Sequence, residues 1–147
     1  NGYLTIRAKQ ENYGGFNYTS SRIITKGNVF KTYGRIDIRA KLPYGQGLWP
    51  ALWMLGENIY SVSWPTCGEI DIMEMVGGTG YNDRTIHGTV HWEDNGHASY
   101  GGPNSLSSGR FADEFHVFSI IILNSSFTLA FSLIKLLSNI KYNESGE

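Results

Sequence analysis

Glu69, Asp71 and Glu74 lie in the run Gly68-Glu-Ile-Asp-Ile-Met-Glu-Met75, with apolar side chains between them. Burial strips an ionised carboxylate of its hydration, and facing carboxylates repel, so such a cluster costs stability. Chemistry that needs one proton donor and one carboxylate nucleophile would justify that cost.

The spacing limits which element could unite the three acids. On a regular strand alternate residues share a face, so Glu69 and Asp71 point one way with Met73. Glu74 then points the other way, with Ile70 and Ile72. One extra residue near Ile72-Met73, a β-bulge, turns Glu74 back beside the other two. On a helix, Glu69 and Glu74 are five apart and share no face. A bulged strand therefore brings the acids together, and an edge strand carrying solvated acids is the bland alternative.

Around that run the chain reads as strands near 3–10, 20–25, 33–41, 49–55, 69–76, 85–91 and 115–123. Segments 12–19 and 93–110 are polar and rich in Gly, Ser and Asn, and read as loops. No repeat, linker or second domain is visible. The expected fold class is all-β, an antiparallel β-sandwich. Eighteen glycines and 14% aromatics suit short strands joined by tight turns. A net charge of −1 without a basic cluster argues against nucleic acid as a partner. A single cysteine, Cys67, excludes an intramolecular disulfide and reads as a small packed residue.

At the motif level the sequence resembles a known family. Glu69-Ile-Asp-Ile-Met-Glu74 is similar to the bulged active-site motif of glycoside hydrolase family 16, in its laminarinase-like (endo-β-1,3-glucanase) branch. Tyr33-Gly-Arg-Ile-Asp-Ile-Arg-Ala-Lys-Leu-Pro43 and Gly47-Leu-Trp-Pro-Ala-Leu-Trp-Met-Leu55 resemble the preceding strands, and His87-Gly-Thr-Val-His-Trp92 a following one. The resemblance runs from Asn1 to about Ile121. It implies a partial catalytic domain over 1–121 with a jelly-roll, concanavalin A-like fold and a cleft on its concave face.

It also implies a retaining endo-glycosidase that hydrolyses β-1,3- or mixed β-1,3/1,4-glucan through a covalent glycosyl-enzyme. Glu69 would be the nucleophile, Glu74 the general acid and then base, and Asp71 the group that tunes both. A retaining pair stands about 5–5.5 Å apart, and an inverting pair stands wider to admit water. One strand face with an acid between the pair can supply the short gap. A third carboxylate raises its neighbours' proton affinity and helps keep Glu74 protonated. The alternatives are a non-catalytic β-glucan-binding protein, as relatives that lost their acids are, and a family member acting on galactans.

Sugar rings present C–H patches that pack on aromatic faces. Trp49 and Trp53 would share a strand face and line the cleft; core packing is the alternative for each. Trp64 is balanced between cleft and core, and Trp92 leans to the core. Arg35 matches a family arginine that reaches into the cleft, and His91 a cleft histidine beside the acids. His87 and His91 share a face, but His97 lies in a polar loop and no third ligand stands at suggestive spacing. No metal site is assigned, and no cofactor is expected. Family members often bind calcium, which cannot be placed on these residues.

Both ends depart from the family pattern, so the sandwich is expected to be incomplete at both. Asn1 to Lys9 resembles an interior stretch, and a divergent tail follows from 122 to 147. Three readings of the tail stand: a shifted reading frame, a helix with Leu129, Leu133, Leu136, Leu137 and Ile140 on one side, and last a membrane span over 117–134. Sandwiches of this kind often take 200–250 residues. The chain alone is accordingly expected to show low or no activity, and robust turnover of a β-1,3-glucan would contradict this. The remaining expectations are a monomer, a β-glucan partner, no membrane partner, and an extracellular location by resemblance, with no signal peptide in the chain.

Overall fold

The computed structural model describes residues 2–78 and 83–123, together with the backbone of 131–133 and 136–137. Ten strands and one short helix are described in it: β1 (Lys9–Tyr13), β2 (Phe16–Thr19), β3 (Gly34–Ala40), β4 (Trp49–Gly56), α1 (Ile59–Val62), β5 (Glu69–Glu74), β6 (Thr85–Glu93), β7 (His97–Ser105), β8 (His116–Ile122), β9 (Phe131–Leu133) and β10 (Leu136–Leu137).

Strands β4, β5, β6 and β7 run as an antiparallel meander in one sheet. Strands β3 and β8 pair antiparallel along their whole length, from Gly34↔Ile122 to Ala40↔His116, and form a second layer. The apolar core lies between the layers. Leu52, Met73, Met75, Phe111 and Phe118 are buried together with Ile38, Ile72 and Ile86 packed against them, and Met54 is buried among Ile36, Ile70 and Ile122. Strands β3 and β8 alternate inward apolar residues with outward ones, as the sandwich requires, and β5 departs from that alternation at Ile72-Met73. The all-β antiparallel expectation holds.

Four local expectations are corrected. Of segment 3–10, read as a strand, only Lys9 and Gln10 lie on one, β1. Segment 12–19 contains most of the β1–β2 hairpin, closed by Gly14 and Gly15, both in the left-handed region at φ 59 and 83. Paired glycines there provide the tight turn whose twist matches the strands. Segment 20–25 is not a strand. Segment 93–110, read as loop, holds β7, which pairs with β6 over its full length. Its Gly101-Gly-Pro-Asn104 has low strand propensity, so cross-strand pairing overrides local preference. Among the described residues β7 lies at the end of the sheet order, where Pro103 is tolerated.

Most of the tail falls outside the described residues. Of the positions with helical spacing, Leu133 lies on β9, and Leu136 and Leu137 on β10; both strands pair with β4. Leu129 and Ile140 lie outside the described residues. The start of the 117–134 segment lies on β8, and no helix among the described residues is long and apolar enough to cross a membrane.

Candidate active site

The register of β5 contains the bulge. Against β4, Asp71 faces Trp53 while Met73 faces Leu52, which leaves Ile72 without an opposite number. Against β6, Asp71 faces Thr89 and Glu74 faces His87, three steps on one strand for two on the other. Ile72 and Met73 both pack in the core, and Glu74 returns to the outer face.

Directly opposed residues of a sheet share a face, so the pairings read as rows across it. Leu55, Glu69, His91 and Ser99 form one row. Trp53, Asp71, Thr89 and Gly101 form the next, and Ala51, Glu74, His87 and Pro103 the third. The three acids thus occupy three successive rows on the face turned away from the core. The middle row is tight: a Cβ on Gly101 would stand 2.2 Å from the carbonyl oxygen of Gly88.

Each acid has a defined partner. Trp49 Nε1 donates to Glu74 Oε1 at 3.0 Å, and Trp64 Nε1 donates to Glu69 Oε2 at 2.6 Å. His91 Nε2 lies 3.0 Å from Asp71 Oδ2. Burial of Asp71, then the charges of Glu74 and Glu69 and a hydrogen bond with Glu69, push its carboxyl up to about 8. Burial also raises Glu74, aided by the Glu69 charge and opposed by the Trp49 N–H and by His91 and His87. Asp71 therefore holds a proton that an ordinary carboxyl releases well below neutral pH, and Glu74 holds its own more tightly than an ordinary glutamate does.

Of the residues expected to bind substrate, Trp49, Trp53, Trp64 and His91 are brought to this face. Trp49 and Trp64 are 40% and 44% exposed, and so present ring surface to solvent beside the acids. Trp64 comes from the loop after α1, and its ring packs on His97 at 4.6 Å between centroids and on His91 at 6.1 Å. Trp92 takes the opposite face of β6 from His91 and is half-buried, outside the core clusters.

Arg35 is not brought to the acids. Its neighbours Ile36 and Ile38 face the core, so alternation turns Arg35 outward on the other layer. There it binds Asp37, with Nε 2.8 Å from Oδ1. Arg22 is the arginine that reaches this face: its guanidinium carbon lies 4.9 Å from the centroid of the Trp53 ring. It borders a cavity shared with Phe30, Trp53, Leu55, Ile59 and Tyr60. No local spacing signalled Arg22, because its segment forms no strand.

His97 was also missed. Its Nε2 lies 2.8 Å from His91 Nδ1, and the two rings stack at 5.1 Å between centroids. The signal was present in Asp94-Asn-Gly96: an Asn-Gly turn returns the chain as a hairpin, which puts His97 on the face of His91. Among the described residues no group of three or more potential metal ligands is assembled. Cys67 is fully buried, and burial raises its thiol.

A family model described as glycosyl hydrolases family 16 matches residues 1–128. A beta-glucanase of Rhodothermus marinus is 45% identical over 124 residues, which cover 81% of this chain and 42% of that protein. A beta-1,3-glucan-binding protein of Penaeus monodon is 42% identical over 113 residues, covering 69% of this chain and 30% of that one. Among solved structures, the catalytic domain of an endo-1,3-beta-glucanase (laminarinase) from Thermotoga petrophila RKU-1 superposes with a TM-score of 0.78 at 39% identity, covering 87% of this chain and 63% of that one. The chain thus spans less than half the length of the Rhodothermus relative.

Proposed function

Because the chain belongs to family 16 of the glycosyl hydrolases, we propose that it carries the reaction centre of a retaining endo-glycosidase acting on β-1,3- or mixed β-1,3/1,4-glucan. The observation that carries this reading is the bulge at Ile72, which sets Glu69, Asp71 and Glu74 on one face with an indole N–H on each outer acid. Glucanases among the similar proteins support the substrate class.

In this mechanism Glu74 starts protonated, as its raised proton affinity favours. It gives that proton to the glycosidic oxygen while a Glu69 oxygen attacks the anomeric carbon and the C–O bond to the leaving sugar breaks. Glu74, now a carboxylate, takes a proton from water, which attacks the same carbon and releases Glu69. Asp71, protonated between them, lets both neighbours change charge without a third anion in the cluster. Trp49 and Trp53 supply stacking surface for the sugar chain, and Trp64 holds the nucleophile. A polymer of this size is met outside the cell, so secretion belongs to the same proposal.

A purely glucan-binding role, suggested by the Penaeus monodon relative, is disfavoured by the complete acid set. Reducing-end release from laminarin by the chain and by Glu69→Gln separates the two. The enzyme reading expects turnover, however slow, that the substitution removes while glucan binding persists. Equal product from both proteins would refute the nucleophile role.

A further inference from the structure

Three groups beside the nucleophile form one continuous hydrogen-bonded line. Asp71 Oδ2 meets His91 Nε2 at 3.0 Å, and His91 Nδ1 meets His97 Nε2 at 2.8 Å. The line runs outward, from the Asp71 side chain at 3% exposure to His91 at 19% and on to exposed His97. Trp64 closes it from the other side, with its ring on His97 and its N–H on Glu69.

Each hydrogen bond in such a line needs one donor and one acceptor, so the choices are linked. Asp71 also hydrogen-bonds Glu69. If its proton serves Glu69, its Oδ2 must accept from His91 Nε2–H. Neutral His91 then bears a lone pair on Nδ1, which must accept from His97 Nε2–H. The opposite direction would leave the Asp71 proton on His91 and none for Glu69.

We propose that His97 is a positioning residue of this centre: it donates to His91 Nδ1, fixes the Nε2–H tautomer of His91, and so directs the Asp71 proton to Glu69. This rests on the reading of Glu69 as nucleophile given above. The nucleophile then receives two hydrogen bonds, one from Asp71 at the end of the line His97→His91→Asp71→Glu69 and one directly from Trp64. Without the His97 donor, the Nδ1 lone pair is open to a proton from solvent. The resulting imidazolium would stabilise the Asp71 carboxylate, the Asp71 proton would pass to solvent, and Glu69 would face an anion. Other charged groups near this line are Glu74 on β5, His87 and Glu93 on β6, and Arg22 over Trp53. Among the described residues, none of these groups hydrogen-bonds His91 Nδ1, which His97 holds.

The direct test is long-range ¹H–¹⁵N correlation of the histidine rings in the full chain at pH 7. The inference expects His91 to carry its proton on Nε2, and a proton on Nδ1 of neutral His91 overturns it. Two variants separate the hydrogen bond from packing. His97→Phe keeps a ring against Trp64 but donates nothing, whereas the amide N–H of His97→Gln can replace the donor. His97→Phe should move the acid limb of kcat/KM up by about one pH unit and lower kcat/KM at pH 5 about tenfold, with KM within about twofold. His97→Gln should restore most of the loss. Unchanged pH profiles in both variants, with circular dichroism showing both folded, refute the inference. A chain that shows the Nε2–H tautomer but neither cleaves laminarin nor takes a covalent label on Glu69 overturns the hydrolase reading, and with it the role at a nucleophile, while the direction of the hydrogen-bonded line stands.

Discussion

The indole N–H of Trp49 donates to Oε1 of Glu74 across 3.0 Å, one strand over and next to the exit of the bulge. That bond favours the carboxylate and opposes the burial and Glu69 charge that favour the acid. Removing it lets burial prevail. Trp49→Phe keeps an aromatic face, so the alkaline limb of kcat/KM, which reports loss of the Glu74 proton, should move up by about one pH unit. KM should change less than about threefold. A pH–rate profile of both proteins checks this, and an unmoved or lowered limb counts against Glu74 as the acid.

Asp71 makes a stability prediction with a definite sign. In the unfolded chain it ionises near the ordinary value of about 4; in the fold it holds its proton up to about 8. Its contribution is therefore complete below pH 4 and is lost as pH rises towards 8, because folding must then return a proton to the group. The loss is on the order of 3–5 kcal/mol across that window. Asp71→Asn removes the titration. Urea unfolding at pH 4.5 and pH 8 should show wild-type stability falling between the two, and the substituted protein falling much less. Equal slopes would contradict the buried, protonated Asp71.

The parts that alternation governs were legible in the sequence. Glu69, Asp71 and Glu74 could share a face only through an extra residue near Ile72-Met73, and the register shift stands there. Trp49 and Trp53 share a face because strand parity permits nothing else. Positions set by cross-strand pairing against local composition were less legible, and for β7 only the Asn95-Gly96 turn signalled the hairpin. β7 has the composition of a loop and is a strand because β6 offers it a ladder. Arg35 looked like a cleft arginine, yet its layer places it outward with Asp37, and Arg22 from a non-strand segment takes the place on Trp53.

The bulge itself can be tested by deletion. Removing Ile72 leaves Glu69-Ile-Asp-Met-Glu, in which plain alternation already puts the three acids on one face. The deletion should keep measurable glucan hydrolysis while destabilising the fold by about 1–3 kcal/mol, through loss of a partly buried isoleucine. Substituting Ile72→Ala keeps the register and should cost similar stability. A folded deletion protein devoid of activity, beside an active Ile72→Ala, would contradict the account of faces.

Covalent capture of the nucleophile tests the central claim most directly, and it needs only one turnover per molecule. The chain is incubated with a laminaribiosyl donor carrying fluorine at C2 and a good leaving group, then digested and mapped by mass spectrometry. The account predicts a single fluoroglycosyl ester, on Glu69, and none in Glu69→Gln. Label on Glu74 or Asp71, or hydrolysis of laminarin whose first-formed product has the inverted anomeric configuration, would contradict it.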